Sequence, residues 1–362
     1  MIKVLIVDDS ALVRQVLTKI FNETSDIKVV GAAADPFQAR EKIKQLNPDV
    51  LTLDVEMPRM DGVTFLGNLM RLRPMPVVMV STLTEKGADV TLRAMEYGAI
   101  DFVAKPKLDV QEKLHEYAEE ICSKVRMASK ARVQPLAKSR IVSKDPASAV
   151  NVDAKLSADA VLQKSTGKKH FRTTDRIIGI GSSTGGTEAV KQVLAGLPPD
   201  MPGIVISQHI PAAFSAPFAM RANSVTALTV VEASDRQQIL PGHVYIAPGD
   251  KHLIVKRDGA RYICSLNDGP PVNRHKPSVD VMFRSLAENA GSNAIGLMLT
   301  GMGDDGAAGM GEMKEHGAKI LVQDEKTSVV WGMPGEVVKR GFHDEILPIN
   351  KIAARLAELG RS

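Results

Sequence analysis

The sequence predicts an α/β protein made of two doubly wound parallel-sheet domains that are joined by a linker. In both halves of the chain, apolar runs of strand length alternate with amphipathic segments of helical period. A basic stretch rich in Ser and Ala, without sustained periodicity, separates the halves. The length of 362 residues agrees with two domains, because one domain usually takes about 150 residues.

The first half contains five strand-like runs. In chain order they read KVLIVDD, KVVGAA, VLTLD, PVVMVS and DFVAKP. The segment after the first run has its apolar residues on one helical face, at Leu12, Val13, Val16, Leu17, Ile20 and Phe21. Five successive strand–helix units predict a parallel sheet in a domain that spans residues 1–124.

A basic linker is predicted over residues 125–172. Between Ser129 and His170 the chain has nine Lys and Arg, three Asp and no aromatic residue. Because nucleic-acid sites combine positive charge with aromatic residues for stacking, this composition favours a solvated linker. We therefore expect no nucleic-acid partner.

The alternation resumes in the second half, residues 173–362. Strands are predicted at RIIGIG, GIVISQ, TALTVVEA, AIGLMLT and KILVQD. Helices are predicted around 185–195, 277–290, 305–316 and 334–340. The runs VYIAP, HLIVKR and RYICSL have little helix between them, which predicts a small antiparallel excursion at the edge of this sheet.

Composition excludes several classes of protein. With 44% apolar and 24% charged residues the chain resembles soluble globular proteins. Its apolar runs are far shorter than the roughly 20 residues of a membrane helix, and its first residues turn acidic too early for a secretion signal. Cys122 and Cys264 are too far apart in sequence to indicate a metal site or disulfide framework. We expect a cytoplasmic monomer without membrane insertion.

Acidic residues follow two strands of the first domain. Asp8 and Asp9 end the first strand and Asp54 ends the third, so the three carboxylates converge at one sheet edge. Mg²⁺ would offset their mutual repulsion. Ser81 and Lys105 end the fourth and fifth strands and add a hydroxyl and a positive charge. This set predicts phosphoryl transfer to Asp54.

The motifs VDDS, LDVEMPRMDG, MVS and KP resemble those of the response-regulator receiver domain, which has a flavodoxin-like fold. The resemblance implies that Asp54 is the phosphoacceptor. It also implies that Asp9 and Asp54 bind Mg²⁺ together with the backbone carbonyl of Glu56, while Asp8 assists. Phe102 takes the position of the switch aromatic residue.

The loop GIGSSTGG at residues 179–186 has two interpretations. A dinucleotide-binding loop needs a third glycine and an acidic residue at the end of the next strand, but Thr184 and His209 occupy these positions. Alternatively, Ser183 is the central residue of a G-x-S-x-G turn. His209 then lies at the same sheet edge as a general base, which favours a nucleophilic serine.

A third loop of this edge, GMGDDGAAGM, supplies Asp304 and Asp305. Either carboxylate could orient a histidine, and an Asp in this place could instead cap the following helix. The residues alone leave this choice open. The chain order Ser, His, Asp differs from that of α/β-hydrolases.

The stretches IGSSTGGTEAV, SQHIPAAF, YIAPGDKHL, KPSVDVMFRSLA and LTGMGDDGAAGM resemble the protein-glutamate methylesterase family of bacterial chemotaxis, whose catalytic domain is Rossmann-like. The resemblance implies Ser183 as nucleophile, His209 as base and Asp305 as orienting acid. It also implies an oxyanion hole formed by the backbone N–H of Met302 and a group of Thr184, with no cofactor for hydrolysis.

The family resemblance further implies the reaction and the partners. Glutamate γ-methyl esters on chemoreceptor cytoplasmic domains would be hydrolysed to release methanol, receptor glutamines would be deamidated, and a sensor histidine kinase would supply the phosphate. We hypothesise that the unphosphorylated receiver covers the catalytic cleft. The alternatives are a nicotinamide oxidoreductase, a DNA-binding response regulator and a catalytically silent, phosphorylation-dependent binding module.

Overall fold

The computed structural model describes residues 1–58, 60–82, 84–105, 111–131, 133, 155–164 and 175–361. Contacts divide the chain into two units, Met1–Ile141 and Val142–Ser362, each with its own parallel sheet. The boundaries proposed from the sequence stay predictions, because much of the proposed linker and Pro106 of the predicted fifth strand lie outside the described residues.

The first unit has a five-stranded parallel sheet of order β2-β1-β3-β4-β5. Its strands are β1 (Ile2–Val7), β2 (Ile27–Ala33), β3 (Val50–Asp54), β4 (Val77–Ser81) and β5 (Asp101–Ala104). Its helices are α1 (Ala11–Asn22), α2 (Pro36–Leu46), α3 (Gly62–Leu72), α4 (Glu85–Glu96) and α5 (Gln111–Ala128). The doubly wound fold predicted from the five apolar runs is confirmed. The order reverses between β1 and β3, which places Asp8 and Asp54 at the switch point where such sheets bind ligands.

Polar N-cap residues precede α1 and α3, the helices that follow β1 and β3. Ser10 accepts a hydrogen bond from Val13 N before α1, and Asp61 accepts one from Thr64 N before α3. These side chains satisfy backbone donors that a helix leaves unpaired at its start. Within the described part of the chain, no helix is both long enough and apolar enough to cross a bilayer.

The second unit has a seven-stranded parallel sheet of order β14-β13-β12-β6-β7-β9-β8. Its strands are β6 (Ile177–Ser182), β7 (Gly203–Gln208), β8 (Thr229–Glu232), β9 (His243–Ile246), β12 (Ala294–Met298), β13 (Lys319–Gln323) and β14 (Glu345–Leu347). Its helices are α6 (Gly186–Ala195), α7 (Ala212–Asn223), α8 (Val279–Asn289), α9 (Ala307–Glu315), α10 (Met333–Lys339) and α11 (Ile349–Arg361). The switch point lies between β6 and β12, beside the GIGSSTGG loop.

The placement predicted for VYIAP is wrong, because β9 runs parallel to β7 and β8 inside the main sheet. Its crossover from β8 has no helix, and its Gln238 forms an antiparallel bridge with Ile263. Because this crossover lacks helical periodicity, its sequence pattern resembles that of an antiparallel connection. The other two runs, β10 (His252–Asp258) and β11 (Arg261–Asn267), do pair antiparallel, but as a separate two-stranded sheet.

Two glycines of β6 bring α8 close to the sheet. A Cβ added at Gly179 would lie 2.3 Å from Leu286 Cδ1, and one at Gly181 would lie 2.3 Å from Val279 Cγ1. Any side chain at these positions would push the helix away. The start of α8 consequently lies at the carboxyl edge of the sheet, next to the loop that carries Ser183.

Candidate active site and phosphoacceptor site

The two serines of the GIGSSTGG loop have different environments. Ser182 is buried, and its hydroxyl donates a 2.6 Å hydrogen bond to Gln208 Oε1. The Oγ of Ser183 lies 3.1 Å from His209 Nδ1. Gly185 has a φ of 72°, a left-handed conformation that glycine adopts without strain. The turn thus presents the hydroxyl of Ser183, and not that of Ser182, to the histidine.

The imidazole of His209 connects this serine to a carboxylate. Its Nε2 lies 2.8 Å from Asp305 Oδ2. A carboxylate accepts only from the protonated ring nitrogen, so Nε2 carries the hydrogen and Nδ1 accepts from the Ser183 hydroxyl. The ring is used in the opposite sense to the chymotrypsin triad, where Nε2 faces the serine.

Asp305 is buried and held by several donors. Its carboxylate accepts hydrogen bonds from Asn273 Nδ2 at 2.8 Å, Ser278 Oγ at 2.9 Å and Val279 N at 2.7 Å. Burial alone would raise the pKa of Asp305, but the hydrogen bond from His209 holds this pKa well below its usual range. The carboxylate therefore stays ionised and fixed in orientation.

A second buried carboxyl group, Asp280, lies beside it. Asn273 Nδ2 donates to Asp280 Oδ2 at 2.7 Å as well as to Asp305, and Gly309 N donates to Asp280 Oδ1 at 2.7 Å. Burial, together with the charge of Asp305, raises the pKa of Asp280 well above its usual range. Of the two acids, Asp280 takes up a proton first and Asp305 keeps the negative charge next to His209.

Asp304 is separate from this network. Its carboxylate lies 2.5 Å from Lys155 Nζ and 3.9 Å from Arg340 Nη2, at the surface. In the structure, Asp305 contacts His209, while Asp304 pairs with surface cations.

The residues expected to form the oxyanion hole lie next to Ser183. Thr184 is buried, and its carbonyl oxygen accepts a 3.0 Å hydrogen bond from Thr300 Oγ1. A Cβ added at Gly301 would lie 2.9 Å from Ser183 Cβ, so the loop that carries Met302 runs against the serine. The backbone N–H of Ser183 is already used, since it donates to Thr300 O at 3.1 Å.

Sequence reasoning missed His275. Its ring stacks on His209, with the centroids 3.7 Å apart and the planes 12° from parallel. The preceding Asn273 and Arg274 have φ values of 50° and 70°, and backbone hydrogen bonds between Val272 and His275 close this loop. Periodicity cannot locate a residue in an irregular loop; the available signal was the position of His275 directly before the KPSVDVMF motif.

We expect the stacked ring to hold His209 in its reactive orientation. His275→Ala should lower kcat about fivefold, because a stacked aromatic contact contributes on the order of 1 kcal/mol. His275→Phe keeps a ring and should retain most of the activity. Steady-state ester hydrolysis by both variants measures this, and a Phe variant as slow as the Ala variant would contradict it.

The acidic residues of the first unit also converge. One carboxylate oxygen from each of Asp8, Asp9 and Asp54 lies within 4.8 Å of the other two. Lys105 Nζ lies 2.8 Å from Asp54 Oδ2 and 3.3 Å from Asp8 Oδ2. The backbone N–H of Glu56 donates to Asp54 Oδ1 at 3.2 Å. These five residues therefore lie close together at the carboxyl edge of the sheet.

The electrostatics of this cluster suit a cation. Burial, reinforced by the charge of Asp8, raises the pKa of Asp54 to about 6 although Lys105 acts to lower it. Asp8 Oδ2 is buried and makes no well-oriented hydrogen bond within the described part of the chain, although the Lys105 ammonium lies 3.3 Å away. Buried carboxylate oxygens that lie close together are suitable ligands for a hard divalent ion.

Two further residues predicted for this site, Ser81 and Phe102, contact other parts of the chain. The Ser81 hydroxyl lies 3.3 Å from Thr82 O and 3.4 Å from Gly87 O, so it is engaged by the β4–α4 connection. Phe102 is buried, with Lys124 Nζ 5.4 Å from its ring centroid. The structure therefore brings Lys105 to Asp54 but directs the hydroxyl of Ser81 to backbone carbonyls.

Comparison with known families matches both halves of the chain. The sequence profile of the CheB methylesterase family matches residues 178–356. The profile of the response regulator receiver domain matches residues 4–119. The crystal structure of the Thermotoga maritima CheB methylesterase catalytic domain is similar, with a TM-score of 0.50 and 40% identity over 51% of this chain and 98% of that one.

Relatives are similar along the whole chain. The protein-glutamate methylesterase/protein-glutamine glutaminase of Hydrogenovibrio crunogenus is 57% identical and covers 99% of this chain and 98% of its own. Its counterpart in Geobacter metallireducens is 57% identical, over 98% and 95%. Both domains and their order are thus shared with these relatives.

Proposed function

The chain belongs to the protein-glutamate methylesterase/protein-glutamine glutaminase family, and on this premise we propose that Ser183, His209 and Asp305 carry out its hydrolytic reaction. The enzyme removes methyl groups from glutamate γ-methyl esters of chemoreceptors and deamidates receptor glutamines in chemotactic adaptation. The observation that carries the assignment is the single imidazole placed 3.1 Å from a serine hydroxyl and 2.8 Å from a buried carboxylate.

In the first half-reaction, Ser183 Oγ attacks the carbonyl carbon of the ester while Nδ1 of His209 takes the hydroxyl proton. Asp305 keeps the hydrogen on Nε2 and stabilises the imidazolium that forms. When the tetrahedral intermediate collapses, the bond to the methoxy oxygen breaks and methanol leaves with the proton from Nδ1. The receptor glutamate is then an ester of Ser183.

The second half-reaction releases the receptor. Water attacks the acyl carbon, gives a proton to Nδ1 of His209, and Ser183 departs with that proton. The product is an unmodified glutamate. A receptor glutamine follows the same route with ammonia as the first leaving group, so one site accounts for both activities named for the family.

The developing oxyanion needs fixed donors. We assign this role to the backbone N–H of Met302 and a group of Thr184, because the loops of both residues adjoin Ser183. Each such donor contributes roughly 3 kcal/mol to the stability of a tetrahedral intermediate in other hydrolases.

In the receiver unit we propose Asp54 as the phosphoacceptor. Asp9, Asp54 and the carbonyl oxygen of Glu56 would hold Mg²⁺, and the convergence of the Asp8, Asp9 and Asp54 carboxylates supports a cation in this cluster. When bound, the ion neutralises charge on the transferring phosphoryl group. Lys105, in contact with Asp54, would supply a positive charge for the phosphoryl oxygens.

The partners follow from the two activities. A sensor histidine kinase of the chemotaxis array supplies the phosphoryl group, and the cytoplasmic domains of methylated receptors are the substrates. Since both are cytoplasmic proteins or domains, we place the enzyme in the cytoplasm. Phosphorylation of Asp54 raises the rate of demethylation by relieving inhibition by the receiver.

A small-molecule phosphodonor tests this regulation. It should raise methanol release by the wild-type protein severalfold and leave Asp54→Asn unchanged, because the amide cannot accept the phosphoryl group. Asp49→Asn is a matched control, since Asp49 lies at the opposite end of β3 and is exposed; it should respond like the wild type. Equal stimulation of Asp54→Asn would contradict the assignment.

A further inference from the structure

Residues 155–164, which the sequence assigned to the linker, contact the catalytic unit close to its active site. We call them the docking segment. We propose that the docking segment positions the Val272–Ser278 loop, whose residues contact Asp305 and His209, so that part of the predicted linker supports the geometry of the active site. This inference rests on the proposed hydrolytic function of the triad.

The first step of the argument is a direct connection to the triad loop. The backbone N–H of Asn273 donates to Leu156 O at 2.9 Å. The Asn273 side chain in turn donates to Asp305 at 2.8 Å and to Asp280 at 2.7 Å. Only one residue therefore separates the docking segment from the catalytic carboxylate.

The second step is apolar packing beneath the same loop. Ala158 is buried in a cluster with Ile254, Val272 and Val281, and Val161 packs against this cluster. Val272 closes the loop that presents His275 to His209. The cluster thus joins the docking segment to the base of the loop that carries both Asn273 and His275.

The third step is a buried ion-pair network. The Arg284 side chain is only 7% exposed, and its Nη1 donates to Asp159 Oδ1 at 2.7 Å and to Leu162 O at 2.8 Å. Its other nitrogens bind Glu312. Arg284 lies on α8 and Glu312 on α9, the two helices that begin beside Asp305. The docking segment therefore supplies the remaining hydrogen-bond acceptors of a buried guanidinium that joins these two helices.

A fourth contact lies at the surface. Lys155 Nζ is 2.5 Å from Asp304 Oδ1, next to the triad acid in the chain. Because exposed ion pairs contribute little to stability, the docking depends mainly on the first three contacts. In total, the docking segment contacts the three parts of the structure that surround Asp305: the Val272–Ser278 loop, the two helices and the loop before α9.

These contacts make the docking segment a positioning element and not a catalytic one. Its residues do not touch Ser183 or His209, and their effect passes through Asn273, Val272 and Arg284. A displacement of about 1 Å in a catalytic group can reduce turnover up to about 100-fold. We therefore expect undocking to lower kcat while the affinity for the receptor, reflected in KM, changes little.

The test uses full-length Ala158→Glu, which places a charge in the apolar cluster, with Ala160→Glu as the matched control. Ala160 lies in the same short helical turn but is exposed. Ala158→Glu should lower kcat per titrated Ser183 about tenfold with KM within twofold, and speed hydrogen exchange of the Asn273 amide. Ala160→Glu should match the wild type in all three quantities. Asp159→Asn, a milder change, should lower kcat about threefold.

The outcomes separate two failures. Unchanged Asn273 exchange in Ala158→Glu would overturn the docking, and faster exchange with wild-type kcat would overturn the positioning role. If kcat fell as much in Ala160→Glu as in Ala158→Glu, the positioning role would also be overturned. If the wild-type protein releases no methanol, the proposed function itself fails, whereas the exchange rate of Asn273 still reports on docking by itself.

Discussion

Ser183→Ala is expected to abolish methanol release from methylated receptor, with a fall in kcat of roughly 10⁴-fold or more. The alanine has no nucleophile to form the acyl-enzyme, and the activity that remains in such variants comes from the oxyanion donors and substrate binding. Stability should change little, because the Ser183 hydroxyl lies in an accessible turn and its backbone contacts to Thr300 and Gly186 remain. The measurement is methanol released per mole of folded protein.

The neighbouring serine is the matched control for this prediction. Ser182→Ala removes the 2.6 Å hydrogen bond to Gln208, whose amide supports the Ser183 carbonyl. Losing that bond costs about 1 kcal/mol, so turnover should fall by no more than about tenfold. Comparable losses in the two variants would mean that the nucleophile is misassigned.

Asp305→Asn is expected to lower kcat by about 10⁴-fold, as the corresponding change does in chymotrypsin-type triads. The amide nitrogen of the asparagine can donate to Nε2, which would move the ring hydrogen to Nδ1. His209 could then no longer accept the proton of Ser183. The geometry predicts little change in KM, since Asp305 is buried and does not face the substrate.

Asp304 provides the comparison within the same loop. Asp304→Asn weakens an exposed ion pair with Lys155 and should lower kcat by less than about fivefold. Steady-state kinetics of the two variants side by side measures the difference. An equal loss in both, or a larger loss in Asp304→Asn, would contradict the assignment of the orienting acid.

Much of the site was predictable because it lies at strand ends. Ser183 and His209 follow consecutive parallel strands, and consecutive strands of a doubly wound sheet usually pair, so their proximity follows from chain order. The acidic edge of the first unit follows from the same rule. Asp305 is harder to place, since β12 pairs with β6 although the two strands are far apart in sequence. There the family resemblance selected one of two adjacent acids.

What could not be predicted lies in segments without a period. The loop from Val272 to Ser278 places Asn273 and His275 through left-handed backbone and long-range hydrogen bonds, which leave no pattern in the sequence. The docking segment has the composition of a linker, and its one buried alanine carries no signal. The parallel pairing of β9 was missed because its crossover lacks the helix that marks such connections.

Hydrolysis of methylated receptor in ¹⁸O-labelled water tests the central claim most directly. Attack of Ser183 on the acyl carbon, followed by water, predicts that the wild-type protein places ¹⁸O in the glutamate carboxylate and releases unlabelled methanol. Ser183→Ala should form both products at least about 10⁴-fold more slowly than the wild type. Label in the methanol, or equal label in the receptor from both proteins, would contradict acyl transfer through Ser183.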